Sequence, residues 1–200
     1  MRRAEFQVND PKQIEALLAE CEYGTLSLMD EDVPYGVPLN FVWYEKCVCF
    51  HGSKEGRKME VIAKNPKASF SVVKPLSLIP SYFSNTRSAS PATQFFISAH
   101  IVGKIEVIEN ADQKCAMLTA LMQKLQPEGG YDAIEAANPI YTKMIEQTGL
   151  LRLIPELISL KLKIGQNLTQ ERKTSLIEKL LQRGTPLDKL TVEMIQQMCS

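Results

Sequence analysis

The densest run of chemically capable side chains lies at Phe50-His51-Gly52-Ser53-Lys54-Glu55-Gly56-Arg57-Lys58. The residues before it alternate as in a strand, its small residues read as a turn, and Met59, Ile62 and Ala63 read as one face of a following helix. Two cations in the first turn of a helix oppose its dipole. An anion held by the turn amides, the Ser53 hydroxyl and the Arg57 and Lys58 side chains would resolve that conflict, so the segment reads as a phosphate site. The competing reading is a solvated turn with ordinary surface cations.

Other candidates are thinner. Cys47, Cys49 and His51 fall at i, i+2 and i+4 of a strand and so share a face, which raises zinc. No fourth ligand and no second Cys or His pair accompanies them, and cysteine also serves as a small apolar filler. No metal is expected. His100, the other histidine, has Ser98 as its same-face neighbour. No Ser-His-Asp, Walker or GxGxxG pattern is present, which removes the serine hydrolase, P-loop and Rossmann classes.

The elements that must position these residues follow from periodicity. Asp10-Pro11-Lys12-Gln13 reads as a helix start, and Ile14, Leu17, Leu18 and Cys21 continue a helix over 11–21. Strands are expected around 25–29, 35–43, 47–51, 68–72, 95–108 and 158–164, with a helix after Gly56 that stops at Asn65-Pro66 and another capped by Asn110. Residues 74–93, with Pro75, Pro80 and Pro91 among many serines, read as a long loop over a site or an interface. Helical stretches are expected on either side of Pro139, and two more helices over 169–183 and 186–198. The fold class is therefore mainly β with peripheral α, a six-stranded antiparallel barrel, with a domain over 1–167 and a C-terminal helical hairpin over 168–200 packed on the barrel or on a second subunit. Few cations on the last helix argue against a DNA-reading helix-turn-helix.

The chain has 200 residues, 44% of them hydrophobic, and 23 basic against 23 acidic side chains. That balance argues against a protein built chiefly to neutralise nucleic acid or coat an anionic membrane. The longest apolar runs are too short to span a bilayer, and Met1-Arg2-Arg3 lacks the apolar segment that a twin-arginine signal needs. Five scattered cysteines suit a reducing compartment, so the expected location is the cytoplasm.

Three stretches carry a resemblance: Pro34-Tyr35-Gly36-Val37-Pro38-Leu39-Asn40-Phe41, then Cys49 to Ser53, then Glu55-Gly56-Arg57-Lys58 with Asn65-Pro66. They resemble the pyridoxamine 5'-phosphate oxidase-like, FMN-binding split-barrel superfamily, nearest its nitroimidazole-resistance branch, over about residues 5–125. Lys163 to Thr169 resembles the strand-to-helix ending of regulator-like members. The resemblance implies a split barrel that binds FMN in a groove between the subunits of a homodimer. Val37, Pro38, Leu39 and Asn40 would lie along the flavin ring by their backbone. Phe50, His51, Gly52 and Ser53 would meet ribityl and phosphate, and Arg57 with Lys58 would clamp the phosphate. Ser98 would stand near the cofactor, and Gln166 with Asn167 would reach over from the partner chain.

The same resemblance implies a flavin-dependent oxidoreductase acting on a small molecule, with a nicotinamide nucleotide as a plausible electron donor. His51 is the catalytic candidate, matching a histidine associated with nitroreduction. Trp43 is the only tryptophan, Asn40 stands where true pyridoxamine phosphate oxidases have lysine, and Ser98 where they have glutamine, so vitamin B6 oxidation is not expected. The alternatives are a ligand- or flavin-sensing regulator and a haem-binding split barrel using His51 or His100.

Overall fold

The computed structural model describes residues 4–84 and 86–197; Met1-Arg2-Arg3 and the last three positions of the chain lie outside them. The strands are β1 (Gln7–Val8), β2 (Tyr23–Asp30), β3 (Val33–Asn40), β4 (Val42–Tyr44), β5 (Cys47–Ser53), β6 (Lys67–Ile79), β7 (Thr93–Ile108) and β8 (Thr148–Lys163). The helices are α1 (Pro11–Glu20), α2 (Arg57–Lys64), α3 (Ala111–Leu125), α4 (Pro139–Gln147), α5 (Gln170–Arg183) and α6 (Pro186–Gln197). The sheet runs β3-β2-β6-β7-β8-β5-β4, with β1 paired to β8, and it does not close on itself. This is a mainly antiparallel, open barrel of the expected class. No helix among the described residues is long and apolar enough to cross a membrane.

Two compact units emerge. One comprises residues 11–72 and 99–159, the other the described residues of 1–10, 73–98 and 160–200. In the larger unit, β2 forms a hairpin with β3, from Asp30 opposite Val33 to Tyr23 opposite Asn40. Its other edge pairs with β6 at Leu26 and Phe70. Hairpin side chains alternate between core and solvent on β2, where Leu26 and Leu28 are buried. Pro34 and Pro38 on β3 lack an N–H, which a strand at the end of a sheet tolerates.

The strand expected over 35–43 is broken at Phe41. Its ring is fully buried and meets Phe70 edge-to-face at 4.8 Å. Its carbonyl accepts from Lys124 Nζ at 2.9 Å, and that ammonium also donates to Leu18 O at 2.9 Å and Cys21 O at 2.7 Å while standing 3.8 Å from the centre of the Phe41 ring. Burial lowers the Lys124 pKa to about 8.

Other departures from the sequence reading have physical causes. Among the described residues eight strands occur rather than six, because β1 and β4 are too short to show a period. The expected loop over 74–93 is strand as far as Ile79, because Leu76, Ser77 and Ile79 are buried and Ser77 finds its polar partners on α6. β8 starts at Thr148, ten residues before the expected Ile158. It passes through Pro155 where Gly103 on β7 leaves room: a Cβ at Gly103 would collide with the Ile154 carbonyl. Only the stretch after Pro139 is helical; Asn138 caps it by accepting from Ile140 N.

The smaller unit is organised around Asp188 on α6, which is wholly buried. Its carboxylate accepts from Ser77 Oγ at 2.6 Å, Arg183 Nε at 2.8 Å and Thr185 N at 3.1 Å, while Arg183 also reaches Leu78 O at 2.9 Å. The Arg183 guanidinium, followed by the hydroxyl partners, holds the Asp188 carboxyl well below the usual carboxylate range. Asp188→Asn should cost about 3–5 kcal/mol, the scale of breaking a buried ion pair. Because the folded-state pKa is depressed, this contribution is complete above the unfolded value of about 3.9 and is lost as pH falls below it. Chemical denaturation at a series of acidic pH values should show a steeper loss in the parent than in the variant. Lys124→Met, which strands three carbonyls, should cost about 3 kcal/mol in the same assay.

Candidate functional site

β5 carries the site because it changes environment along its length. Cys47, Val48, Cys49 and Phe50 are all buried, and His51 is the first exposed residue. Cys47 and Cys49 belong to a core cluster with Val42, Ile108, Met117 and Leu121. Burial pushes the Cys49 thiol up to about 12, so it is an inert filler rather than a thiolate. No group of three or more His, Cys, Asp or Glu among the described residues is placed to hold a metal.

From His51 the chain passes through a turn into α2. Ser53 Oγ accepts from Glu55 N at 3.1 Å. Gly56 precedes the helix with φ of 99°, a region that favours glycine, and its carbonyl takes the Met59 and Glu60 amides. The first two helical residues are the cations Arg57 and Lys58, as expected. They point to different tasks. Arg57 Nε donates to Asp30 Oδ2 at 2.8 Å, and the guanidinium lies 4.3 Å from the centre of the Tyr35 ring. It thereby ties the start of α2 to the turn end of the β2–β3 hairpin.

Lys58 folds back along β5. Its Nζ lies 5.9 Å from the centre of the Phe50 ring, and a Cβ at Gly52 would collide with that nitrogen. Glycine at 52 thus lets the ammonium lie against the strand. Burial lowers the Lys58 pKa, and no carboxylate opposes the shift. His51 is lowered too, first by its loss of solvent and then by the Lys58 charge. Both causes favour the neutral imidazole.

The remaining expected site residues have settings of their own. Asn40 closes β3 by donating to Glu22 O at 3.2 Å. His100 is hydrogen-bonded through Nδ1 to Ser71 Oγ at 2.9 Å, a satisfied polar pair on adjacent strands. Ser98 is half-buried in the smaller unit. Gln166 spends its amide locally: Nε2 donates to Leu162 O at 2.6 Å and Oε1 accepts from Ile164 N at 2.9 Å. Asn167 is exposed. Asp30 and Tyr35 were not legible as site residues, since an acid in a turn and an aromatic on a strand carry no functional signal by themselves.

A family model described as pyridoxamine 5'-phosphate oxidase matches residues 10–162. The chain belongs to that family. Solved structures of the same fold include a candidate 5-nitroimidazole antibiotic resistance protein from Bacteroides thetaiotaomicron, 19% identical with a TM-score of 0.62, covering 78% of this chain and 85% of that one. A flavocytochrome from Azotobacter vinelandii is 24% identical with a TM-score of 0.67, over 79% and 69%. An FAD and haem binding protein from Mycobacterium smegmatis is 23% identical with a TM-score of 0.66, over 78% and 73%. No curated protein sequence matches the chain.

One consequence is measurable without any ligand. By NMR, His51 should titrate below the ordinary value of about 6.5. Lys58→Met should move it upward, because one of the two causes is removed, yet leave it below that value because its loss of solvent remains. No movement in the variant would separate the two side chains.

Proposed function

We propose that the chain is an FMN-binding oxidoreductase that works as a homodimer and passes two electrons to a small molecule, in the manner of a nitroreductase. The observation that carries this reading is the half-buried Lys58 ammonium. Its pKa is lowered by burial, its Nζ lies against Gly52, and Ser53 and the amides that open α2 are its close neighbours in the chain. A phosphate monoester supplies the missing negative charge and accepts from those donors. The donor set therefore fits the phosphate of FMN. Family membership supports the reading, as do the structural relatives described as a flavocytochrome and as an FAD and haem binding protein.

Bound flavin would supply the electron-transfer chemistry. The chain's part is to hold it. The backbone of Val37–Asn40 would support the ring, Phe50 through Ser53 the ribityl chain and phosphate, and Arg57 with Lys58 the phosphate charge. Arg57 would act through the grip it already has on Asp30 and Tyr35. The neutral form of the His51 imidazole, with one N–H donor and one acceptor nitrogen, is suited to orient a substrate or hold a proton at its ring nitrogen. From a second copy of the chain, Gln166 and Asn167 would complete the site. A nicotinamide nucleotide would serve as electron donor.

The test is the visible spectrum of the purified protein after addition of FMN and gel filtration. Retained absorbance near ~450 nm, the flavin's own band, is expected. Combined Arg57→Ala and Lys58→Ala should weaken FMN by ~tenfold or more, the scale of losing charge-assisted hydrogen bonds. A protein that keeps no flavin, or a variant with unchanged affinity, would overturn the assignment.

A further inference from the structure

The smaller unit contains a cavity of about 790 Å³, and of its lining residues the proposed flavin site draws on Asn167 alone. Small-molecule sites typically enclose roughly 300–1,000 Å³. Its walls are sorted by chemistry. Phe6, Phe95, Leu168 and Leu176 supply an apolar body, and Lys163, Arg172 and Lys179 supply three cations. Hydroxyls of Ser84, Thr86, Ser88, Ser90, Thr93 and Ser175 complete the lining, and no carboxylate is among the described lining residues. Three cations border one hollow, which suits it to an anionic group.

The walls are also built to keep their shape. Lys163 Nζ donates to Thr93 Oγ1 and Lys179 Nζ to Phe83 O, so the cations fasten both ends of the serine-rich segment that borders the hollow. Gly165, at φ of 84°, turns the chain from β8 towards α5. A Cβ there would stand 2.9 Å from Leu168 Cδ1 and 3.2 Å from Phe95 Cζ, so the turn is pressed against the apolar wall. The Gln166 side chain closes that turn from within.

We propose that this cavity is a second binding site, separate from that of the flavin, for a small amphipathic organic anion: an aromatic or aliphatic body bearing one carboxylate, sulfonate or phosphate group. The body would lie against Phe95 and Leu176, with the acid group facing Lys163, Arg172 and Lys179.

Anilinonaphthalene sulfonate, compared with its uncharged counterpart phenylnaphthylamine, tests this on the full chain by fluorescence titration. The sulfonate should bind saturably, about one per chain, and more tightly than the neutral dye. Arg172→Gln alters an exposed side chain, so the fold should survive, as circular dichroism will show. It should weaken the sulfonate by ~tenfold and leave the neutral dye unchanged, and Lys163→Gln should do the same. Ser175→Trp, which fills the hollow, should exclude both dyes. FMN retention, read on the same samples, should be unaffected by Arg172→Gln. Equal weakening of both dyes, insensitivity to the charge variants, or displacement of the sulfonate by stoichiometric FMN would overturn the proposal. Loss of FMN retention in the parent would count against the flavin reading alone.

Discussion

The larger unit depends on one ammonium group. Lys124 Nζ is shared by carbonyls from the end of α1, from the residue after it and from Phe41, and it sits on the ring of that same phenylalanine. Phe41 in turn packs on Phe70, whose ring occupies the space a side chain at Gly24 would need. Through these contacts α1, α3, β2, β6 and the break between β3 and β4 are referenced to a single point. The end of β3, which carries Val37–Asn40, is thereby set by a charge some distance along the chain. Carbonyl dipoles and a ring face stabilise a cation that burial disfavours, and the balance leaves it charged at neutral pH.

The start of α2 is handled differently. Two adjacent cations stand at the end of the helix where positive charge is least welcome, and the fold neutralises only one of them. Arg57 has Asp30 and the face of Tyr35, whereas Lys58 is laid along β5 with no ion pair among the described residues. Local stability is given up there, and the neutral form of the nearby His51 is favoured as a by-product. Buried charge without a counter-charge is a common mark of a site waiting for a ligand.

Much of this was legible in the sequence, for identifiable reasons. The turn between His51 and Arg57 announced itself by glycines and a serine between two periodic segments, and Asp10-Pro11 and Asn110 marked helix starts by cap chemistry. What could not be read were features settled by contacts distant in sequence. Residues 74–79 open a stretch rich in proline and serine, yet they form strand because Thr191 and Asp188, more than a hundred positions later, satisfy Ser77. Phe41 looked like the middle of a strand because the group that bends it is Lys124.

The two prolines of β3 bear on how copies of this chain can meet. Pro34 and Pro38 stand at even positions with Gly36 and Asn40, so their backbones face the same way along the edge. That side lacks two of its four donors, which leaves a ladder too gapped to accept another strand. Growth by strand addition, the route to fibrous aggregates, is closed at this end of the sheet. A partner that docks here must do so with side chains, and an association built on side chains is one that substitution can tune residue by residue.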